Sequence, residues 1–412
     1  MKFYEIRDPV YGFIEFNEWE KEIIDHPMFQ RLRRIRQLGF TDMVYPGAMH
    51  TRFEHSLGVM HLITKMYNSI IQRNEKFLEE NVNYNKTDLE RERQLIRLAG
   101  LLHDVGHPPF SHSSEELFPD GYSHEDYTIA IIKTSFKKII DGHRINKNYN
   151  ITSEEVAGMI SGNAEILKEK IFWKILLSSQ LDADRCDYLL RDSLHIGVKY
   201  GVFDLERLLI SLKLGRDPET KDPILGIDEA SWHVAESVVI ARYLIFTQVY
   251  YHKTRRAYDL MLTEALKEAI GRYPPPTTSD GSISTFCGYN DYTITPILLE
   301  KSKWFAEMLK RNHIRVSEET EELPTKEGIE KLEELMKKLK ENKIWYAVDD
   351  FSKKTKEWYN MEDEILIIGD KGNVQPLSYY SKIVKNLPKK FAKSRIYVKR
   401  EDRERAKKIT KE

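Results

Sequence analysis

The chain of 412 residues contains only two cysteines, Cys186 and Cys287, too few for a disulfide framework and in keeping with a reducing compartment. It has no apolar run long enough to span a bilayer. Its opening Met1-Lys2-Phe3-Tyr4-Glu5-Ile6-Arg7-Asp8 places charges where a signal peptide needs an apolar segment. Charge of one sign is also lacking: 64 Lys and Arg against 65 Asp and Glu leave a net charge of −1. No global basic field is available for nucleic acid or a membrane surface, so neither is expected as a partner. A soluble, cytoplasmic protein is expected. What the chain does have is 41% hydrophobic residues, enough at this length for a large core in one big domain or two unequal ones.

Residues 1–20 alternate apolar and polar around Asp8-Pro9-Val10-Tyr11-Gly12, which predicts a small hairpin. From 21 to 272 the pattern is mostly helical. Ile23, Ile24, Met28, Leu32, Ile35 and Leu38 recur at three- and four-residue spacing. Thr51 with Glu54 and Thr87 with Glu90 read as capping boxes opening two helices, and Gly106, Pro108 and Pro109 end the second. The Pro-, Ser- and Thr-rich stretch 273–290 reads as a loop. Residues 291–412 read as a smaller α+β lobe. It holds an amphipathic helix through Ile329, Leu332, Leu335, Met336 and Leu339, strands at 365–368 and 395–398, and a solvated charged tail after Val398. The expected fold class is mainly α.

Seven of the 13 histidines lie between His50 and His124, several beside Gly, Pro or a carboxylate. His55, the pair His103-Asp104, the trio His107, His112 and His124, and Asp184 together offer what a catalytic metal site needs, with groups left over for acid and base work. Imidazole and carboxylate ligands suit a divalent transition metal and leave positions open for water or a substrate oxygen. Asp184, Tyr188, Arg191 and Asp192, at i, i+4, i+7 and i+8, share one helical face and are expected to reach a common pocket.

Thr51-Arg52-Phe53-Glu54-His55-Ser56-Leu57-Gly58, His103-Asp104-Val105-Gly106-His107-Pro108-Pro109-Phe110-Ser111-His112 and Asp182-Ala183-Asp184-Arg185-Cys186-Asp187-Tyr188-Leu189-Leu190-Arg191-Asp192 resemble, in this order, the HD-superfamily deoxynucleoside triphosphate triphosphohydrolases. The branch most resembled holds the vertebrate SAM- and HD-domain enzymes and their microbial relatives. The likeness runs from Asp8 to about Leu266. It implies a divalent metal ion (Mn, Fe, Co, Ni, Zn or Mg) on His55, His103, Asp104 and Asp184. It implies His112 as general acid or its partner, Glu115 orienting it, and His107 and His124 against the phosphates, with His124 part of the catalytic group. Arg52, Arg242 and Tyr250 match positions that hold phosphate, sugar or base; Gln37, Tyr188 and Asp192 match those around the deoxyribose. Asp25, Gln30 and Arg33 match residues that bind a guanine nucleotide activator, GTP or dGTP, between subunits of a homo-oligomer, a dimer or tetramer. Two departures are Arg7, where the family usually has Asn, and the lack of a SAM domain ahead of the hairpin.

The expected activity is hydrolysis of a deoxynucleoside triphosphate (dNTP) to deoxynucleoside and inorganic triphosphate. The alternatives are another HD-domain nucleotide phosphatase or phosphodiesterase, against which the contexts of Arg52 and of Tyr188 to Asp192 argue, and a nucleotide sensor without turnover, against which the complete ligand set argues.

Overall fold

Residues 2–20 fold largely as two antiparallel strands, β1 (Phe3–Asp8) and β2 (Gly12–Asn17), with Asp8 opposite Gly12. The turn forms because Asp8 Oδ1 accepts from the amides of Val10 and Tyr11 at 2.9 and 3.0 Å, while Gly12 supplies a φ of +80° that other residues resist. The structure is a computed structural model that describes residues 2–82, 86–277, 281–322, 324–349, 364–388 and 393–411. It is mainly α-helical, with small sheets toward the C-terminus.

Asn17 ends β2 and caps the helix Glu18–Asp25 in a reciprocal box with Glu20. Glu20 is fully buried and meets Arg97 through both carboxylate oxygens, at 2.6 and 2.7 Å. This fork fastens the entry of the chain to the helix Lys86–Leu102. Burial alone would raise the Glu20 carboxyl, but Arg97 holds it below the usual range.

The centre of the fold is the 31-residue helix Arg52–Val82, about 46 Å long at 1.5 Å per residue. Val59, Met60, Ile63, Met66 and Ile70 recur along one face at helical spacing and are fully buried, each such side chain contributing about 1.5–3 kcal/mol of burial. The helices Lys86–Leu102 and Ala183–Ile196 pack against it. At Asn74 the helix bends (φ −129°, ψ 23°). There the side chain replaces backbone partners: Nδ2 donates to the Ile70 carbonyl, and Oδ1 accepts from the Leu214 amide, both at 3.0 Å.

Several elements differ from the sequence expectation. Two strands, β3 (Leu212–Arg216) and β4 (Pro223–Asp228), interrupt the stretch read as helical. They join β7 (Leu366–Ile368) and β8 (Val374–Pro376) in one sheet, β4 and β7 running parallel. A second sheet has the order β5 (Arg315–Glu319), β9 (Arg395–Val398), β6 (Tyr346–Asp349). The 273–290 loop contains the helix Ser282–Cys287, whose Phe286 is buried 4.2 Å from Tyr127; 278–280 lie outside the described residues, as do 350–363 and 389–392 of the C-terminal segment. Nor is the segment after Val398 a solvated tail. Arg403–Lys411 is a helix whose Ala406 is fully buried with Leu332, Leu335, Leu339 and Val398, and whose Ile409 packs half-buried on the same cluster, beside the helix Lys326–Glu341.

Among the described residues no helix is long and apolar enough to cross a membrane. Both cysteines are buried free thiols.

Candidate active site

Three segments converge at the buried start of the long helix. Its first turn is set where the Thr51 amide donates to Glu54 Oε1 at 3.1 Å, which places His55, with no exposed surface, in the core. The His55 ring is held from behind by Asp187 Oδ2, 2.7 Å from Nδ1. His103 stands just past the helix Lys86–Leu102, and its Nδ1 lies 2.9 Å from the Gly100 carbonyl, a partner that can only accept. A proton is thereby fixed on that nitrogen, and Nε2 is the atom left to face a cation.

Both Nε2 atoms then face the same two carboxylates. His55 Nε2 lies 3.0 Å from Asp184 Oδ1 and 3.4 Å from Asp104 Oδ2; His103 Nε2 lies 3.3 Å from Asp104 Oδ1 and 3.7 Å from Asp184 Oδ1. Neither Nε2 makes a well-formed hydrogen bond although both are buried. Two buried imidazole nitrogens without partners, aimed at one point beside two carboxylates, are a set that a divalent cation can bind by displacing their protons. Burial alone would lower the His55 pKa, but Asp184 and Asp187 hold it up, to about 10, so the negative charge gathered here attracts a cation of some kind.

The loop beyond forms a second cluster. His107 is 1% exposed and places Nε2 3.2 Å from Asp104 Oδ1 and Nδ1 3.8 Å from Glu115 Oε1. Glu115 Oε1 also meets His112 Nδ1 at 3.0 Å and His124 Nδ1 at 2.7 Å. The His107 and His124 rings stack with centroids 3.9 Å apart. Burial, then Arg52 and His124, push His107 well below its ordinary value and keep it neutral. Glu115 would be raised by burial, yet His112 and His124 hold it well below the carboxylate range.

Backbone strain presents His112. Phe110 and Ser111 both adopt left-handed φ values, 60° and 56°, at about 1–2 kcal/mol each for residues with a Cβ. Three bonds hold them there: the Phe110 amide donates to Asp291 Oδ1 (2.8 Å), the Ser111 hydroxyl donates to the Arg36 carbonyl (2.6 Å), and Arg52 Nε donates to that hydroxyl (2.9 Å). Arg52 also reaches Asp104 Oδ2 through Nη1 at 2.5 Å, while its Nη2 is buried without a partner.

On the other side, Asp192 is gripped by His50 Nε2 at 2.8 Å and by the Tyr250 hydroxyl. Tyr250 closes a wide turn in which the Tyr251 amide returns to the Phe246 carbonyl, a bulge frequent at functional sites. Tyr188 meets the Tyr250 ring edge-on at 6.2 Å. Gln37 is buried with Oε1 unpartnered. Arg242 donates to Gln180 Oε1 at 2.7 Å.

Arg191 departs from the expected common pocket. It is buried behind His55, forked on Asp187 at 2.9 Å through two nitrogens and paired with Asp8 at 2.8 Å, so the i+7 position supports the site rather than facing into it. Asp25 is exposed and paired with Lys21. Gln30 donates to the Ile24 carbonyl at 2.7 Å and accepts from Arg33 Nε at 2.9 Å, and the Arg33 guanidinium lies 3.5 Å over the Phe53 ring. Asp25 is thus not tied to the other two.

Sequence reading missed Asp187, Gly58 and His50. Asp187 follows Asp184 by three residues and so shares its face, the one signal that could have found it. A Cβ on Gly58 would fall 2.0 Å from Asp187 Oδ1 and 2.3 Å from Arg191 Nη2, a constraint no composition reveals.

A family model described as HD domain matches residues 52–191, and one described as HD associated region matches residues 203–316. The deoxynucleoside triphosphate triphosphohydrolase SAMHD1 homolog of Dictyostelium discoideum is 32% identical over 271 residues, covering 64% of this chain and 49% of that protein. The chain spans about half the length of the curated relatives it matches. Among solved structures, a hypothetical protein from Aquifex aeolicus is similar with a TM-score of 0.78 at 31% identity, covering 99% of this chain and all of that one. A phosphohydrolase from Bacteroides thetaiotaomicron is similar with a TM-score of 0.72 at 27% identity, covering 97% of this chain and all of that one.

Proposed function

The chain belongs to the HD-domain family, with the HD-associated region behind the domain, and from that premise we propose that it hydrolyses deoxynucleoside triphosphates to deoxynucleoside and inorganic triphosphate. The observation that carries the proposal is the position of Asp104, which touches both sets of groups: His55 and His103 on one side, Arg52 and His107 on the other. A divalent ion on His55, His103, Asp104 and Asp184 would supply Lewis acidity at the scissile phosphate. The remaining residues supply binding and proton transfer. Arg52, through its unpaired Nη2, and neutral His107 bind phosphate oxygens. His112, oriented at Nδ1 by Glu115, holds a proton at Nε2 for the departing 5′ oxygen, and His124 keeps Glu115 in place. Gln37, Tyr188, Asp192 and Tyr250 enclose the sugar and leave little room for a 2′-hydroxyl, while Arg242 adds charge at the same end.

Two rivals remain worth separating: another HD-domain nucleotide phosphatase or phosphodiesterase, and a sensor without turnover. Purified protein is to be incubated with each dNTP, with and without GTP or dGTP, and its products and bound metal identified. Inorganic triphosphate supports the proposal; orthophosphate, pyrophosphate or no turnover overturns it.

A guanine nucleotide activator at Asp25, Gln30 and Arg33, binding between copies of the chain, is part of the same proposal. The specific support is the stacking of Arg33 on Phe53, the neighbour of Arg52 in sequence, which gives a bound activator a short physical route to the phosphate-binding arginine.

A further inference from the structure

The His112 side chain is 54% exposed, and the hydrogen bond that holds its ring is the one to Glu115 at Nδ1. Where the ring points is therefore decided by the backbone beneath it. That backbone carries two successive left-handed residues, Phe110 and Ser111, a conformation that persists only when its surroundings over-determine it.

Two buried carboxylates grip the turn, one on each side of His112, and neither belongs to the HD domain at 52–191. Two residues before His112, the Phe110 amide donates to Asp291 Oδ1 at 2.8 Å, while Asp291 Oδ2 accepts from the Arg36 amide at 2.9 Å. One residue after it, the Ser113 hydroxyl donates to Asp259 Oδ1 at 2.7 Å. Asp291 opens the helix Asp291–Lys301 and Asp259 lies in the helix Lys253–Ile270, both inside the HD-associated region at 203–316.

Each carboxylate is itself fixed. Buried Arg31 donates from Nε to the Tyr289 carbonyl at 2.8 Å and from Nη2 to the His107 carbonyl at 2.9 Å, so the segment that carries Asp291 is tied to the loop a second time. Burial raises the Asp291 carboxyl to about 6, and the amides of Arg36 and Phe110 are foremost in opposing that rise, ahead of the Arg36 and Arg31 side chains. A carboxyl inside a protein is unfavourable unless its oxygens are hydrogen-bonded; here both are committed to the main chain. On the other side, Asp259 Oδ2 accepts from Arg256 Nη1 at 2.9 Å, and the rest of that guanidinium forks onto Asp349 of β6 at 2.6 and 3.0 Å. The hydroxyl beside His112 is thus connected through Asp259, Arg256 and Asp349 to the C-terminal sheet.

We infer that Asp259 and Asp291 are positioning residues, through which the HD-associated region holds the turn at 110–113 in the conformation that aims His112 at the departing oxygen of the substrate. The inference rests on the acid role proposed for His112 above. Misplacing a reacting group by about 1 Å costs on the order of 10²-fold in rate. A loosened turn should therefore lower turnover while the groups that bind metal and substrate stay in place.

Two variants of the full chain test this. Asp291→Asn leaves one of the two amides facing a donor, and Ser113→Ala, the milder change, removes the hydroxyl that Asp259 accepts from. Amide hydrogen exchange of residues 110–114 should be faster in both, with exchange of 52–58 and 182–192 and the metal content as in wild type. Turnover of dNTP should fall about 10–100-fold with KM within about twofold of wild type. In a His112→Ala background the same substitutions should cost less than about threefold, because the group they act through is gone. Exchange at 110–114 equal to wild type, faster exchange there with turnover retained, a rise in KM at unchanged kcat, or an equal loss in the His112→Ala background would each overturn the inference. So would faster exchange throughout the chain in both variants, the mark of residues that only hold the fold; if Asp291→Asn alone does so, Ser113→Ala decides. A wild-type protein without turnover overturns the activity reading itself, whereas normal wild-type turnover beside any of these results overturns the positioning role alone.

Discussion

Asp187 Oδ2 lies 2.7 Å from His55 Nδ1, and both residues are fully buried. The carboxylate holds a proton on Nδ1 and so sets Nε2 as the nitrogen that faces Asp184 and Asp104. It is itself forked by Arg191. Because Arg191 continues to Asp8 at the hairpin turn, the first strand of the chain is mechanically joined to the candidate metal ligands.

Asp187→Asn should weaken divalent metal binding about 10–100-fold, the usual effect of losing the partner behind a ligating imidazole. Helical content should be unchanged. Metal titration with a competing chelator reads this, and wild-type affinity in the variant would show that Asp187 serves packing alone.

His55→Ala and Asp184→Asn should abolish bound metal and turnover together, since both are proposed ligands. Elemental analysis beside the product assay checks the pair. Retained metal with normal turnover in either would remove the residue from the ligand set.

His112→Ala should keep its metal and lose about 10²–10⁴ in turnover, the range for a positioned acid. Binding of a non-hydrolysable dNTP analogue should change little. Loss of metal in this variant would instead make His112 a ligand.

Sugar discrimination is the fourth expectation. dATP should be hydrolysed and ATP scarcely, and Gln37→Ala, which opens the buried Gln37 position, should narrow the gap. Equal rates for ATP and dATP in wild type would contradict the assigned sugar contacts.

Stability should fall in mild acid, in part through His61. Burial, with Lys65 and Arg97 nearby, lowers its pKa to about 4, whereas an unfolded chain takes up that proton near pH 6.5. The folded state therefore refuses a proton that the unfolded state accepts between those values, and stability present above about pH 6.5 is lost as pH falls toward 4. His61→Phe, which keeps a ring against Tyr11, should lose less between pH 7.5 and pH 5 than wild type does. Urea midpoints at the two values test it, and identical pH dependence would exclude His61 as a contributor.

How much of this was legible depends on whether a residue's partner was near it in sequence. The hairpin around Asp8 to Gly12 and the end of a helix before Pro108 follow from short-range rules and are found as expected. The expected site residues from His55 to Asp192 lie on segments that converge, whereas Asp187 looks like one more surface acid until His55 and Arg191 are placed beside it. Strands β3 and β4 escaped detection because Gly215 and Gly226 break their apolar pattern. Both make room for Ile368 of β7, which a Cβ would approach to 3.0 and 2.9 Å, and nothing in residues 212–228 announces that neighbour. The last helix was hidden by its many charged residues, among which Ala406 and Ile409 are recognisable as anchors only after assembly.

The parallel pairing of Ile227 with Ile367 and of Asp228 with Ile368 orders events in time. A chain emerging from a ribosome completes every HD segment and β4 long before β7 exists, so β4 waits with an open edge on the far side from β3. Such an edge is a template for other chains, and its long-range closure is slow. Synthesis halted after residue 316, where the HD-associated region ends, should therefore yield a polypeptide that holds every proposed metal ligand yet aggregates at that edge, and adding back residues through 376 should restore solubility before any other property.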